Sequence, residues 1–363
     1  MNSFSMIIQG EGKGHFSQAL TCCSMLEKAG LQVKRIYLGR SLFKPLPAYF
    51  ESSLPAPTRS FLSPNFIRTP DRKGIRILLS LFLNFLFGPI YLFEACRIGI
   101  MMRWDRSDTA INFYDPVGAL AGRWWKRGAK RIVVSHHFYL SHPDFIHPHG
   151  LESAYFWLQL MNRIMMRSAH RVIALSFRKG QDAGRITVAP PLIDERVRQG
   201  EYSAGKRDLC YFLNPGFTEE MIGYYKNHPE LQADIFTDEL PSADIPANVE
   251  LHTPSREVFL GFMLRCRRII CTAGFDAVAE AFYLGIPVFL IPSVNHYEQY
   301  CNALDAVRTG MAFQFEEFSD LEEFSDPDQV SAPDQVAFVP AGNRKYREWA
   351  NSLENRLLDL LAR

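Results

Sequence analysis

The sequence predicts an α/β chain built as two doubly wound, Rossmann-like halves. Short apolar runs alternate with helical patterns along most of the 363 residues, as parallel strands with helices on both faces require. The alternation stops at a charged, small-residue stretch, 191–207, and then restarts. Glycine-rich turns follow strands in both halves, and in such sheets ligands bind beyond the carboxyl ends of the strands. With two facing halves, the default site is a cleft between them.

In the first half "SMIIQ" reads as a strand, followed by a helix over Phe16–Ala29 that Gly30 ends. "VKRIYL", a proline-rich loop from Lys44 to Pro64 and a long apolar segment come next. "AINFYD" leads into "PVGALAGRWWKRG", "RIVVS" into a histidine-rich loop, and "RVIALS" and "RITVA" close the half. The second half reads "DLCYFL", a turn at Asn214-Pro215-Gly216, a helix, "ADIFTD", "VELHT", "RRIICTAG" and "PVFLIP". Trp349, Leu353, Leu357 and Leu360 recur near helical spacing in the tail. The expected organisation is a first domain over 1–190, a linker over 191–207, a second domain over 208–342, and a helix over 343–363 suited to packing back on the first domain.

Bulk composition excludes several classes. Hydrophobic residues make up 47%, enough for sizeable cores. A formal net charge of +1 argues against a nucleic-acid binder. Seven cysteines without a C-x-x-C pair read as reduced thiols of a cytoplasmic protein. The first residues lack the basic start of a signal peptide. The uncharged run Ile77–Phe93 sits at the lower limit for a spanning helix. Ser80, Asn84 and a Gly88-Pro89 break interrupt it, and strand-like runs of one sheet flank it. A single crossing would put those strands on opposite sides of a membrane. The expectation is one or two helices packed into the core. The alternative is an apolar surface making peripheral contact with the inner face of the cytoplasmic membrane.

The opening turn "QGEGKGHF" sets Gly10, Gly12 and Gly14 in a G-x-G-x-G-H pattern. A dinucleotide fold would want G-x-G-x-x-G and an acid at the end of the second strand, where Leu38-Gly39-Arg40 stands instead. No G-K-[ST] closes a P-loop. The glycines either let backbone approach an anion or substrate closely, or make a tight strand–helix turn. His15 follows at the helix entrance, where the positive helix end favours neutral imidazole. Such a group in a cleft can take a proton from a hydroxyl; the bland alternative is a capping or core histidine.

In the second half "CTAGFDAVAEAFYLGIPVFLIPSVNHYEQYCNA" runs from a strand through Thr272-Ala273-Gly274 into a helix, whose free amides suit a diphosphate. Glu280 lies six residues beyond Gly274, and alone could be a solvated helix carboxylate. Glu298 and Gln299 follow the next strand. This constellation resembles the donor-binding signature of GT-B glycosyltransferases, closest to those related to the peptidoglycan N-acetylglucosaminyltransferase and to bacterial relatives opening with G-x-G-x-G-H. The shared features are Gly274, Glu280, Gly285-Ile286-Pro287, Glu298-Gln299 and Asn302-Ala303, with "FYDPVGALAGR" agreeing in the first half. The resemblance covers nearly the whole chain and is weakest across Lys44–Arg103, where acceptor recognition is expected.

The resemblance implies a GT-B fold and transfer from a nucleotide-sugar, UDP first, to an unidentified acceptor. Glu280 would bind the donor ribose, and the amides of Gly274 and Phe275 the diphosphate. The backbone near His252 and Thr253 would meet the base. Glu298 and Gln299 would face the sugar, and Pro215 and Gly216 would line the donor side. Gly10, Gly12, Lys13, Gly14, Asp115 and His137 are assigned to the acceptor or phosphate side, with His15 as base. Glu298 departs from the closest relatives, which carry a glutamine-like residue there. The resemblance favours inversion. His136, His137, His142, His147 and His149 match no closed metal motif, so neither metal nor cofactor is expected. Two other classes stay open, a sugar-nucleotide 2-epimerase of the same architecture and a non-catalytic sugar-nucleotide or lipid binder.

Overall fold

The computed structural model describes residues 3–362 apart from 11–12, 42–53, 66, 68, 71–75, 126–127, 213–214, 238–240, 242–243 and 325–339. The chain divides into two compact units, Met1–Ile67 with Arg76–Leu192 and Trp349–Arg363, and Arg68–Ile75 with Ile193–Glu348. Of the expected linker, Pro191 and Leu192 count with the first unit and the rest with the second.

The first unit is a seven-stranded parallel sheet in the order β3-β2-β1-β4-β5-β6-β7. Its strands are β1 (Ser3–Ile8), β2 (Gln32–Arg40), β3 (Thr58–Leu62), β4 (Thr109–Phe113), β5 (Lys130–Ser135), β6 (Arg171–Leu175) and β7 (Ile186–Ala189). Every residue of β1 and β4 is buried. That is why neither strand carries a charged residue, and why the polar ones, Ser3, Ser5, Thr109 and Asn112, are buried too. Met6 pairs with Ile36 on one side and Ile111 on the other, which puts β1 inside the sheet. β3 arises inside the expected proline-rich loop and pairs with β2. Its "TRSFL" alternates because it lies at the sheet edge.

Among the described residues the helices of this unit ahead of its C-terminal part are α1 (Lys13–Lys28), α2 (Ile77–Leu86), α3 (Gly88–Trp104), α4 (Pro116–Ala121) and α5 (Glu152–Ser168). α3 packs on α4 and α4 on α5. Gly99 makes the first contact feasible, since a Cβ there would meet the Ala121 carbonyl at 2.5 Å. The expectation that Ile77–Phe93 packs into the core is not met: among its described residues only Ser80 and Tyr91 are buried, and the other buried residues of α3, Ala95, Ile98, Gly99 and Met102, lie beyond the run. α2 is inverted. Its polar residues face inward: Ser80 Oγ accepts from the Ile67 amide, while Asn84 exchanges hydrogen bonds with the Asn65 backbone and accepts from the Tyr91 hydroxyl. Its apolar residues face outward, with Leu78 80% and Phe85 84% exposed. Phe93 and Trp104 on α3 are exposed too, as are Phe156 and Ile164 on α5. No single helix among the described residues is long and apolar enough to cross a membrane. The pair Leu78–Leu86 and Gly88–Trp104 is, by length and composition, but bends by 61°. In the C-terminal part of this unit the Trp349 indole donates to the Ser176 carbonyl and Arg171 to the Leu360 carbonyl.

The second unit is a six-stranded parallel sheet in the order β10-β9-β8-β11-β12-β13. Its strands are β8 (Arg207–Tyr211), β9 (Gln232–Phe236), β10 (Val249–His252), β11 (Ile269–Cys271), β12 (Val288–Leu290) and β13 (Ala312–Gln314). The helices are α6 (Glu195–Gln199), α7 (Thr218–Asn227), α8 (Arg256–Met263), α9 (Phe275–Leu284) and α10 (Tyr297–Val307), then α11 (Pro340–Asn351), which runs into the first unit, where α12 (Leu353–Ala362) follows. All seven cysteines are free thiols.

A buried ion pair anchors the second sheet. Arg268, just before β11, donates two hydrogen bonds to Asp208 on β8, with no more than 1% of either residue exposed. The Tyr225 hydroxyl donates to the same carboxylate, and the guanidinium lies 4.7 Å from the centre of the Phe289 ring. Burial opposes the Arg268 charge, and the Asp208 carboxylate more than offsets it. Arg268→Ala would leave a buried carboxylate with only its tyrosine partner. The expected loss is about 3–5 kcal/mol, read from urea unfolding.

Candidate functional site

In the first unit the carboxyl ends of β1, β4 and β5 gather the chemistry. β1 ends at Ile8 and α1 begins at Lys13, so Gly14 and His15 lie inside the first helical turn rather than ahead of it. Gly10 sits in the connecting turn; Gly12 and the Lys13 side chain lie outside the described residues. The half-buried His15 ring is centred 5.7 Å from Tyr114, 5.5 Å from His137 and 6.4 Å from His136. Tyr114 stacks on His137 at 4.1 Å, and His136 and His137 are 4.2 Å apart. Three imidazoles and a phenol therefore share one end of the sheet.

The cluster is held from behind. Ser135 Oγ accepts from the His137 amide and lies 2.9 Å from its Nδ1. Asn162 on α5 is fully buried: its Nδ2 donates to the His137 carbonyl and to Ser141 Oγ, and its Oδ1 accepts from the Tyr114 hydroxyl at 2.6 Å. Tyr114 itself has φ +59°, a left-handed conformation that costs a bulky residue about 1–3 kcal/mol.

Asp115 does not line the acceptor side as expected. It is 0% exposed and caps α4, with Oδ1 accepting from the Gly118 amide and Oδ2 from Ser63 Oγ. A Cβ at Gly39 would lie 2.8 Å from the same oxygen, so glycine there lets β2 pass over the carboxylate. Burial pushes the Asp115 carboxyl up to about 6, against the pull of the Ser63, Gly118 and Val117 hydrogen bonds. The histidine-rich loop divides by role. His136 and His137 join His15; buried His142 lies 2.9 Å from the Gln181 carbonyl; His147 meets Tyr155 edge-on; His149 is exposed.

In the second unit Gly274 occupies the N-cap of α9, just beyond β11. A Cβ at Gly274 would approach nothing closer than 3.4 Å, so the protein's own packing does not demand glycine there. The turn Pro215–Phe217 lies beyond β8 and includes Gly216. His252 ends β10 with its Nε2 3.0 Å from Asp234, and Thr253 beside it is exposed. Asp234, Glu250 and His252 lie close enough to share a cation, but the Arg207 guanidinium already bridges the two carboxylates.

On the donor side one bland alternative falls and one expectation needs correction. Glu280 is not the solvated helix carboxylate of the bland alternative: it is 3% exposed and both oxygens are bonded by Arg256. Arg256 also binds Asp194, the cap of α6, and Arg196 grips Asp194 in turn. Burial would raise the Asp194 carboxyl, yet these guanidinium partners hold it at about 2. A carboxylate oxygen has two lone pairs, so Glu280 keeps capacity for ribose hydroxyls beside the guanidinium. Gln299 does not face a sugar: it is buried, and its Oε1 accepts from the Ser293 amide. Glu298 is half-buried, and Asn302 ties the first turns of α10 to the Ala273 carbonyl at the end of β11. Sequence reasoning missed Tyr114, His136, Asn162 and Arg256. The His136-His137 doublet beyond a strand was a usable signal; the other three carry none.

A model of glycosyl transferase family 1 matches residues 138–326. Among solved structures, MurG of Acinetobacter baumannii is 14% identical with a TM-score of 0.61, over 100% of this chain and 99% of that one. LpCGTa in complex with UDP is 13% identical at 0.66, over 99% and 98%. The spinosyn rhamnosyltransferase SpnG complexed with thymidine diphosphate is 14% identical at 0.62, over the full length of both. At such identities these likenesses show the fold. No curated protein sequence matches the chain.

The raised Asp115 carboxyl makes stability pH-dependent. The folded chain holds this proton more tightly than the unfolded chain, so the contribution is full below about 4 and is lost as pH rises through about 6. Asp115→Asn should remove roughly 2–3 kcal/mol of that slope, measured as urea unfolding midpoints from pH 4 to 7.

Proposed function

The chain belongs to glycosyl transferase family 1 and is a glycosyltransferase of GT-B fold; from that premise we propose that it moves a sugar from a nucleotide-sugar, UDP-linked by first choice, to a hydroxyl of a lipid-linked or cell-envelope acceptor. The observation that carries the donor half is the N-terminus of α9, which begins at a glycine N-cap beyond β11, where no packing contact demands glycine, inside the matched region. UDP and thymidine diphosphate in the named complexes of LpCGTa and SpnG support a nucleoside diphosphate at such a site.

In this mechanism His15 accepts the acceptor proton as its oxygen attacks the anomeric carbon. The bond from that carbon to the diphosphate oxygen breaks, with inversion, and the α9 amides receive the departing charge. No metal is needed, because the helix amides and dipole meet the negative charge instead. His15→Ala should retain UDP-sugar binding within a few-fold and lower turnover roughly 100- to 10,000-fold, read by single-turnover kinetics. Glu280→Gln should weaken UDP binding by about tenfold or more in calorimetry, as a charge-assisted bond to ribose is lost.

The outward apolar faces of α2 and α3 support a peripheral membrane contact. Residues 76–168 carry eleven Lys and Arg against six Asp and Glu, in a chain whose net charge is +1. Exposed leucines and phenylalanines in a stretch of net basic sequence suit an anionic bilayer, and the enzyme would meet a lipid-linked acceptor there. The protein should float with phosphatidylglycerol vesicles without detergent, and replacing Leu78, Phe82 and Phe85 by serine should abolish flotation.

A further inference from the structure

We propose that Tyr114 is the positioning residue of the catalytic base: its ring, pinned through Asn162, fixes where the His15 imidazole stands and which rings it faces. This rests on the reading of His15 as base. Tyr114 is the residue immediately beyond β4, at the carboxyl end where His15 and His137 also lie. Its ring is 21° from coplanar with His15 and 18° from coplanar with His137, so it makes a stacked contact with both. Phe138 closes on it edge-first at 5.4 Å.

The backbone at Tyr114 is left-handed, which favours glycine and disfavours a bulky aromatic. A residue that only turned the chain here would serve better as glycine. The ring is therefore retained against the backbone preference, and its contacts say for what. The phenol donates to Asn162, a side chain 0% exposed whose remaining hydrogen bonds go to the His137 carbonyl and Ser141. One buried amide thus sets the tyrosine ring and the His137 backbone together. The titratable groups in ring contact with His15 are His136 and His137 from the turn after β5, and Tyr114 itself. Moving the Tyr114 ring changes the surroundings of the base.

The test compares Tyr114→Gly, which suits the backbone and deletes the ring, with Tyr114→Phe, which keeps the ring and deletes the pin. The readout is the His15 titration midpoint by NMR, its resonance identified with His15→Gln, alongside thermal unfolding. Positioning predicts a midpoint shift of about half a pH unit or more in Tyr114→Gly, and a smaller shift of the same sign in Tyr114→Phe. It also predicts that Tyr114→Gly lowers kcat with donor KM unchanged, and adds nothing in a His15→Ala background. A purely structural tyrosine would alter the melting temperature and leave the His15 midpoint where it is; that result overturns the proposal. Should Tyr114→Gly fail to fold, an unmoved midpoint in Tyr114→Phe overturns it equally. Full turnover by His15→Ala would instead overturn the base assignment, and the titration would still report on Tyr114.

Discussion

Both sheets of this chain are wholly parallel, and that constraint governs everything else. A parallel strand must be crossed over by a helix, so its two faces are covered and its residues serve the core. Chemistry is left to the loops at the strand ends. The first unit uses the ends of β1, β4 and β5 for the ring cluster around His15. The second uses the end of β11 for the helix N-terminus at Gly274. The turns after β1, β4 and β11 are short, and this is why His15 lies within a helix rather than before it.

Much of the polar machinery is spent on holding loops, not on meeting ligands. Asp115 caps a helix, receives Ser63 and is sealed from water. Gln299 props the loop at Ser293, and Asn302 joins α10 to the end of β11. Glu280 is set by a guanidinium that Asp194 sets in turn. Such supporting groups fix the geometry of the residues that face outward, which is the usual relation between an inner layer of hydrogen bonds and a working surface.

Every strand but β3 and β13 lies in an apolar run read from the sequence; what hid was local. β3 lay in a proline-rich stretch, and its "TRSFL" is half polar because it is an edge strand. α2 misled for the opposite reason: its apolar residues point outward, and Ser80 and Asn84, the residues that looked like interruptions, make its inner contacts. The Gly274 turn was legible from strand, glycine and helix in succession. Arg256 was not, because it meets Glu280 from 24 positions away in the chain. Nor was Tyr114, since nothing in a sequence marks a non-glycine residue with positive φ.

The central claim, that a nucleoside diphosphate is held at the start of α9, is tested most directly by amide NMR of the intact chain titrated with UDP. The account predicts that the largest shifts fall on the amides of Gly274, Phe275 and Asp276. Amides there that stay unmoved by UDP, thymidine diphosphate and GDP alike would contradict it.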